Sequence, residues 1–107
     1  MTDKISIIVP VYNERENLEP FTRGLTEAME ATGEPYEILL VDDGSTDGGG
    51  EWMERLPARD ARIRVIRFRR NFGQTAAMAA GFDHATGDIL IPTDADMQND
   101  PRDIPAV

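Results

Sequence analysis

Asp94 and Asp96 stand one residue apart, directly after the short apolar run Ile89-Leu90-Ile91 and Pro92. A bent backbone can aim both carboxylates at one spot, where they repel each other unless a cation lies between them. A hard divalent ion takes oxygen ligands and keeps open positions for substrate phosphates. The pair therefore suits a metal site that grips a diphosphate, and Gln98 beside it could add an oxygen ligand. The same spacing also occurs in solvated acidic turns, so the pair alone does not decide between the two.

The elements that would carry these residues are legible from periodicity. Ile5 to Val11 is apolar at nearly every position, which predicts a strand buried on both faces of a parallel sheet. Leu18, Phe21, Leu25, Ala28 and Met29 then recur at helical spacing. Pro20 suits only the first turn of a helix, which places the helix at about 17–31, with Asn17 as its cap and Glu14 and Arg15 in the preceding loop. Tyr36 to Val41 is a second strand running into Asp42-Asp43-Gly44-Ser45-Thr46-Asp47.

A weak helix carrying Trp52, Met53 and Leu56 follows, loosened by Gly48-Gly49-Gly50 and stopped by Pro57. Trp52, Met53 and Met78 read most simply as core. Ile63 to Phe68 alternates apolar residues with arginine, the pattern of a strand with one exposed face at a sheet edge. Gln74 to His84 is an alanine-rich helix able to approach a sheet closely, and Ile89 to Ile91 is a last buried strand. Asp100 and Pro101 would open one more short helix.

Strand and helix alternate throughout. That predicts an α/β fold of right-handed βαβ units, a mostly parallel Rossmann-like sheet with helices on both faces. The whole of 1–107 reads as one such unit, and its last residues read as the start of a further element rather than a finished fold.

Composition narrows the function. A formal net charge of −9 argues against a nucleic-acid partner, which needs a basic face. The absence of cysteine excludes disulfides and thiolate zinc sites, and the single histidine, His84, leaves no His-based triad. No signal peptide or membrane span is read in the sequence, so the expected compartment is the cytoplasm.

In an open parallel sheet, ligands bind beyond the carboxyl ends of the strands, at the switch point. Three polar loops leave strand ends here: Tyr12-Asn13-Glu14, Asp42-Asp43-Gly44 and Asp94-Ala95-Asp96. A doubly wound order, with the first strand between the second and the fourth, would bring all three to one crevice. Taken singly, Asp42-Asp43 also fits a turn with a helix cap, Glu14 a solvated helix start, and Arg69-Arg70 a solvated patch. Neither a G-x-G-x-x-G nor a G-x-x-x-x-G-K-[ST] is present, so the phosphates would need another means of neutralisation.

The segments Val9-Pro10-Val11-Tyr12-Asn13-Glu14, Val41-Asp42-Asp43-Gly44-Ser45-Thr46-Asp47, Arg70-Asn71-Phe72-Gly73-Gln74, Gly87-Asp88 and Asp94-Ala95-Asp96 closely resemble, in order and spacing, the family 2 (GT-A) glycosyltransferases. Arg70 to Gln74 and Asp94 to Pro101 look most like the branch that glycosylates polyisoprenyl phosphates, the dolichol-phosphate mannosyltransferases. The resemblance implies the N-terminal, nucleotide-binding half of a GT-A fold and inverting transfer of a sugar from a UDP- or GDP-sugar. It implies Pro10, Tyr12, Glu14 and Asp42 in the base and ribose pocket, with Asp43, Asn71 and Gly73 in the same nucleotide-binding set. Asp94 and Asp96 would be the catalytic D-x-D pair on Mg²⁺ or Mn²⁺, with Gln98 as a further metal ligand. The implied partners are a nucleotide-diphosphate sugar and a lipid-phosphate acceptor at the cytoplasmic face of a membrane, reached through further C-terminal segments. A homo-oligomer is compatible with the sequence, and a nucleotide-binding module without turnover is the alternative reading.

Overall fold

The structure is a computed structural model and describes residues 3–95. Its elements are β1 (Ile5–Val11), α1 (Arg15–Thr32), β2 (Tyr36–Asp42), α2 (Gly49–Met53), α3 (Leu56–Arg59), β3 (Ile63–Arg67), α4 (Gln74–His84) and β4 (Ile89–Pro92). The strands form one parallel sheet in the order β3-β2-β1-β4, the doubly wound arrangement that the alternation predicts.

Side chains alternate across the sheet, and each face has its own cover. Ile7, Val9 and Val11 of β1 and Ile38 and Leu40 of β2 share one core cluster with Leu18, Phe21, Leu25 and Met29 of α1 and with Met53 of α2. On the opposite face α4 lies over β1 and β2. It comes so close that a Cβ at Gly81 would overlap the Ile8 side chain. The small residues of the Gln74–His84 stretch thus serve the close approach their composition suggests.

Several boundaries differ from expectation, each for a local reason. Helix α1 starts at Arg15, not Asn17, and Pro20 lies inside it. The first turn is held from outside the helix: Arg15 N donates to Asp47 Oδ2 at 2.9 Å, and Asn17 N donates to the Glu14 carbonyl at 2.9 Å. Pro20 withholds a donor from the carbonyl of Glu16, but both residues are exposed, where water can supply it. The second helical stretch is broken in two, and Pro57 stands in the first turn of α3 instead of ending a helix. Met53 is fully buried as expected, whereas Trp52 is only partly buried and Met78 lines an open apolar hollow on α4.

Strand β3 is an edge, as its arginine alternation predicts. Strand β4 is the other edge among the described residues, so Ile89 and Leu90 are 44% and 40% exposed rather than buried. The expected helix at Asp100-Pro101 lies outside the described residues.

The amino ends of the strands are fastened by Glu37, a carboxylate 3% exposed on the α4 side of β2. Its Oε2 accepts from Ser6 Oγ (2.7 Å), Thr86 N (2.7 Å) and Thr86 Oγ1 (3.0 Å), and its Oε1 from Arg64 Nη1 (3.0 Å). Burial alone pushes this carboxyl up, but the Thr86 N–H, the Ser6 hydroxyl, the Arg64 guanidinium and the Thr86 hydroxyl outweigh it and hold the pKa at about 2, against an ordinary 4.5. Glu37 therefore contributes stability that is complete above pH 4.5 and is lost as pH falls through about 2. A shift of this size corresponds to about 3 kcal/mol at neutral pH. Urea titrations of the wild type and Glu37→Gln should differ most at pH 7 and converge toward pH 2; a constant gap across that range would refute this role.

Candidate functional site

The register of the sheet creates the site. Strand β4 pairs with β1 only as far as Ile8 opposite Pro92, while β1 runs on to Val11 beside Asp42 of β2. Beyond the end of β4 the sheet has a step, and a cavity of about 170 Å³ opens there. It is lined by Pro10, Val11, Tyr12, Glu14, Asp43, Gln74 and Asp94. Residues from the carboxyl ends of β1, β2 and β4 and the first residue of α4 thus meet at one place, as the three-loop convergence predicts.

The predicted residues divide into those that line the cavity and those that hold the lining. Pro10, Tyr12, Glu14, Asp43 and Asp94 line it. Tyr12 is 47% exposed. Glu14 Oε2 accepts from Asn17 Nδ2 at 2.7 Å.

Asp43 is 3% exposed, and its carboxylate faces the loop before α4. It accepts from Phe72 N at 2.8 Å, Gly73 N at 3.0 Å and Asn71 Nδ2 at 3.0 Å. Asn71 Nδ2 also donates to the Asp43 carbonyl at 3.1 Å. Asn71 and Gly73 are therefore the donors that fasten Asp43, and are not among the residues that line the cavity. Gly44, at φ 76°, completes this clip: a Cβ there would overlap the Arg70 and Asn71 backbone.

Asp42 is fully buried and does not line the cavity. Its Oδ1 accepts from Ser45 N at 2.9 Å and its Oδ2 from Arg67 Nε at 3.3 Å. Arg67 also reaches Glu54 at 3.0 Å and Glu51 at 3.4 Å, so β3, β2 and α2 are pinned together under the site. Gly50 is required by this packing, since a Cβ would overlap the Asp42 carboxylate.

Asp94 follows Thr93, whose N–H extends the β4 pairing by donating to the Ile8 carbonyl at 2.8 Å. Asp96 and Gln98 lie outside the described residues. Among the described residues no group of three or more His, Cys, Asp or Glu is arranged around a common metal position. The cavity's side-chain donors are all oxygens or an amide, from Tyr12, Glu14, Asp43, Gln74 and Asp94, which is the chemistry a hard divalent ion takes. Asp94 stands in this oxygen-rich lining together with Glu14 and Asp43.

The sequence reading missed Val11 and Gln74 as lining residues, together with the roles of Asn13, Ser45 and Asp47. Gln74 could have been found from its place, the first residue of a helix that follows the Asn71–Gly73 loop. Asn13 stood in one of the three strand-end loops, but nothing local marked it as the residue that turns to the loop after β2.

A parallel sheet of order β3-β2-β1-β4 with helices on both faces makes a Rossmann-like, N-terminal part of a GT-A fold. Residues 6–107 match the family described as glycosyl transferase family 2, and the chain belongs to that family. Among solved structures it is similar to the mannosyltransferase PcManGT of Pyrobaculum calidifontis in complex with GDP-Man and Mn²⁺, with 28% identity and a TM-score of 0.77 over 90% of this chain. It is also similar to residues 1–349 of S. aureus TarS, at 26% identity and a TM-score of 0.67 over 87% of this chain, and to the same protein in complex with UDP, at a TM-score of 0.66. The chain spans 28% of the PcManGT chain and 27% of the TarS 1–349 chain.

Asp43→Ala leaves the Asn71, Phe72 and Gly73 donors without their acceptor. It should cost about 2–3 kcal/mol, in line with hydrogen bonds to a charged group. Urea unfolding measures this, and a loss under about 0.5 kcal/mol, the range of a neutral surface change, would show the clip to be dispensable.

Proposed function

We propose that this chain is the donor-binding part of a metal-dependent, inverting glycosyltransferase that uses a UDP- or GDP-sugar. One observation carries the reading: in a family 2 chain, Pro10, Tyr12, Glu14, Asp43 and Asp94, from three different strand ends, line a single cavity. The ligands in the PcManGT and TarS complexes, GDP-Man with Mn²⁺ and UDP, support a nucleotide donor of this class.

In this reading Tyr12 and Pro10 offer an apolar surface to the base, and Glu14 offers an acceptor to its N–H groups or to the ribose hydroxyls. Asp94, with Asp96 and Gln98, would hold Mg²⁺ or Mn²⁺, and the ion would supply charge neutralisation for the diphosphate as it leaves. The acceptor oxygen attacks the anomeric carbon from the face opposite the diphosphate, the carbon–oxygen bond to the diphosphate breaks, and the configuration inverts. The acceptor proposed is a polyisoprenyl phosphate at the cytoplasmic face of a membrane. Its phosphate is already ionised at neutral pH, so orientation and leaving-group stabilisation would carry the rate with little general-base assistance. A homo-oligomer is compatible with this arrangement.

Calorimetry with GDP and UDP, with and without Mn²⁺, tests the reading. Binding is expected in Mn²⁺ and should be abolished by a chelator. Asp94→Asn and Asp96→Asn should each weaken metal-dependent binding about 10- to 100-fold, the usual consequence of disturbing a metal site, with unfolding midpoints unchanged. Equal affinity in Mn²⁺ for wild type and both variants would count against the assignment. Binding without sugar transfer to a polyisoprenyl phosphate would favour the alternative, a nucleotide-binding module.

A further inference from the structure

The loop after β1 and the loop after β2 are joined side chain to backbone. Asn13 is the only non-glycine residue with positive φ among the described residues, at φ 52°. Asparagine tolerates that conformation better than most residues but does not choose it unaided. What holds it is the facing loop. Asn13 N donates to Ser45 Oγ at 3.0 Å, and Thr46 N donates to Asn13 Oδ1 at 2.8 Å. Ser45 is in turn fixed by its own N–H on the buried Asp42 carboxylate at 2.9 Å.

Slightly further along each loop a second tie forms. Asp47 Oδ2 accepts from Arg15 N at 2.9 Å, and its Oδ1 accepts from Gly49 N at 2.9 Å. A single carboxylate thus caps the first turns of two helices, α1 and α2. Negative charge at a helix start is favourable, and here each oxygen serves one start. Arg15 closes the same junction from the side, with its guanidinium 5.2 Å from the Trp52 ring centre.

The consequence is directional. Tyr12 and Glu14 both line the cavity, while Asn13 between them is turned to the other loop. In an extended strand, residues two apart share a face and continue in line; here the left-handed residue bends the chain between them as it enters α1. Were Asn13 released to ordinary φ, the path from Val11 to Arg15 would change and Tyr12 and Glu14 would leave their present positions.

We propose that Asn13 and Asp47 are positioning residues for the nucleotide pocket: they clasp the two loops so that Tyr12 and Glu14 are preset toward the ligand. Neither residue is among those that line the cavity. Asn13 acts through the backbone of its neighbours, and Asp47 acts through the α1 start. The inference rests on the donor-site reading of the cavity, but its geometric half stands without a ligand. Presetting matters because ordering a loop at the moment of binding subtracts from affinity.

The experiment compares wild type, Asn13→Ala, Asn13→Asp and Asp47→Asn by titration with GDP and UDP in Mn²⁺, alongside amide hydrogen exchange without nucleotide. Asn13→Ala removes the acceptor for Thr46 and disfavours positive φ. It should raise Kd about tenfold, which is about 1.4 kcal/mol, and speed exchange at residues 12–15 and 45–47 while the amides of β1 and β2 stay protected. Asn13→Asp keeps both the acceptor oxygen and the tolerance for positive φ, so it should restore affinity and protection. A merely structural role would lower the unfolding midpoint of Asn13→Ala and leave its Kd at the wild-type value; that result overturns the proposal. If Asn13→Ala does not fold, Asp47→Asn, which keeps an acceptor oxygen for one helix start only, takes its place: a raised Kd with faster loop exchange supports the clasp, and a wild-type Kd overturns it. If the wild type binds neither nucleotide, the donor reading fails on its own; unchanged exchange in the variants then overturns the clasp, and faster exchange confined to the two loops upholds it.

Discussion

Three buried carboxylates on or next to one strand dictate how the rest of the chain is arranged. Glu37 lies near the start of β2, Asp42 at its end and Asp43 one residue beyond, and each is 3% exposed or less. A buried anion is tolerated only when donors surround it. Each of the three recruits a different part of the chain: Thr86 and Arg64 for Glu37, Arg67 and Ser45 for Asp42, Asn71 to Gly73 for Asp43. Among the described residues no buried side-chain polar atom lacks a partner. The apolar core would accept many small shifts of one strand against its neighbours. These anions do not, because a shift would leave charge unpaired. They fix the level at which the strand ends stand, and so fix where the cavity opens.

The arginine alternation in β3 takes its meaning from the same constraint. Arg64 and Arg67 are not a solvated face: one reaches Glu37 at the amino end of the sheet, the other Asp42 at the carboxyl end. An edge strand can supply long cations that lie over its neighbour without being buried themselves. With Arg67 shared among Asp42, Glu51 and Glu54, its charge is spent on holding the fold.

The architecture was legible in the sequence because it is written in period and punctuation. The run Ile5–Val11, the helical spacing of Leu18, Phe21 and Leu25, and the small residues of Gln74–His84 each answer to one local rule, and the strand order follows from handedness. The start of α1 was not legible, because its cap is Asp47, thirty-two residues away, and a local rule looks only at Asn13 or Asn17. For the same reason Asp42 and Asp43, adjacent and alike in the sequence, could not be told apart. The alternation of β2 sends Asp42 into the α2 side and its bond to Arg67, while Asp43 turns toward the loop before α4 and the cavity.

Electrostatics ties these points to the proposed chemistry. The cavity is lined by Glu14, Asp43 and Asp94 and, among the described residues, by no lysine or arginine, in a chain of net charge −9. At the start of α1 the Arg15 N–H is already taken by the Asp47 carboxylate, and the start of α4, at Gln74, lies in the cavity's own lining. A diphosphate brought to such a place would meet the repulsion of these three carboxylates. An oxygen-liganded divalent cation reverses the local sign with a single bound species. Under the proposed function, the acids at the strand ends and the absence of basic residues among the cavity's described lining are one feature: a site that would take its phosphate-binding charge from the ion. Affinity for a nucleotide diphosphate would then depend on the ion's concentration, and Tyr12 and Glu14 would be left to select the base.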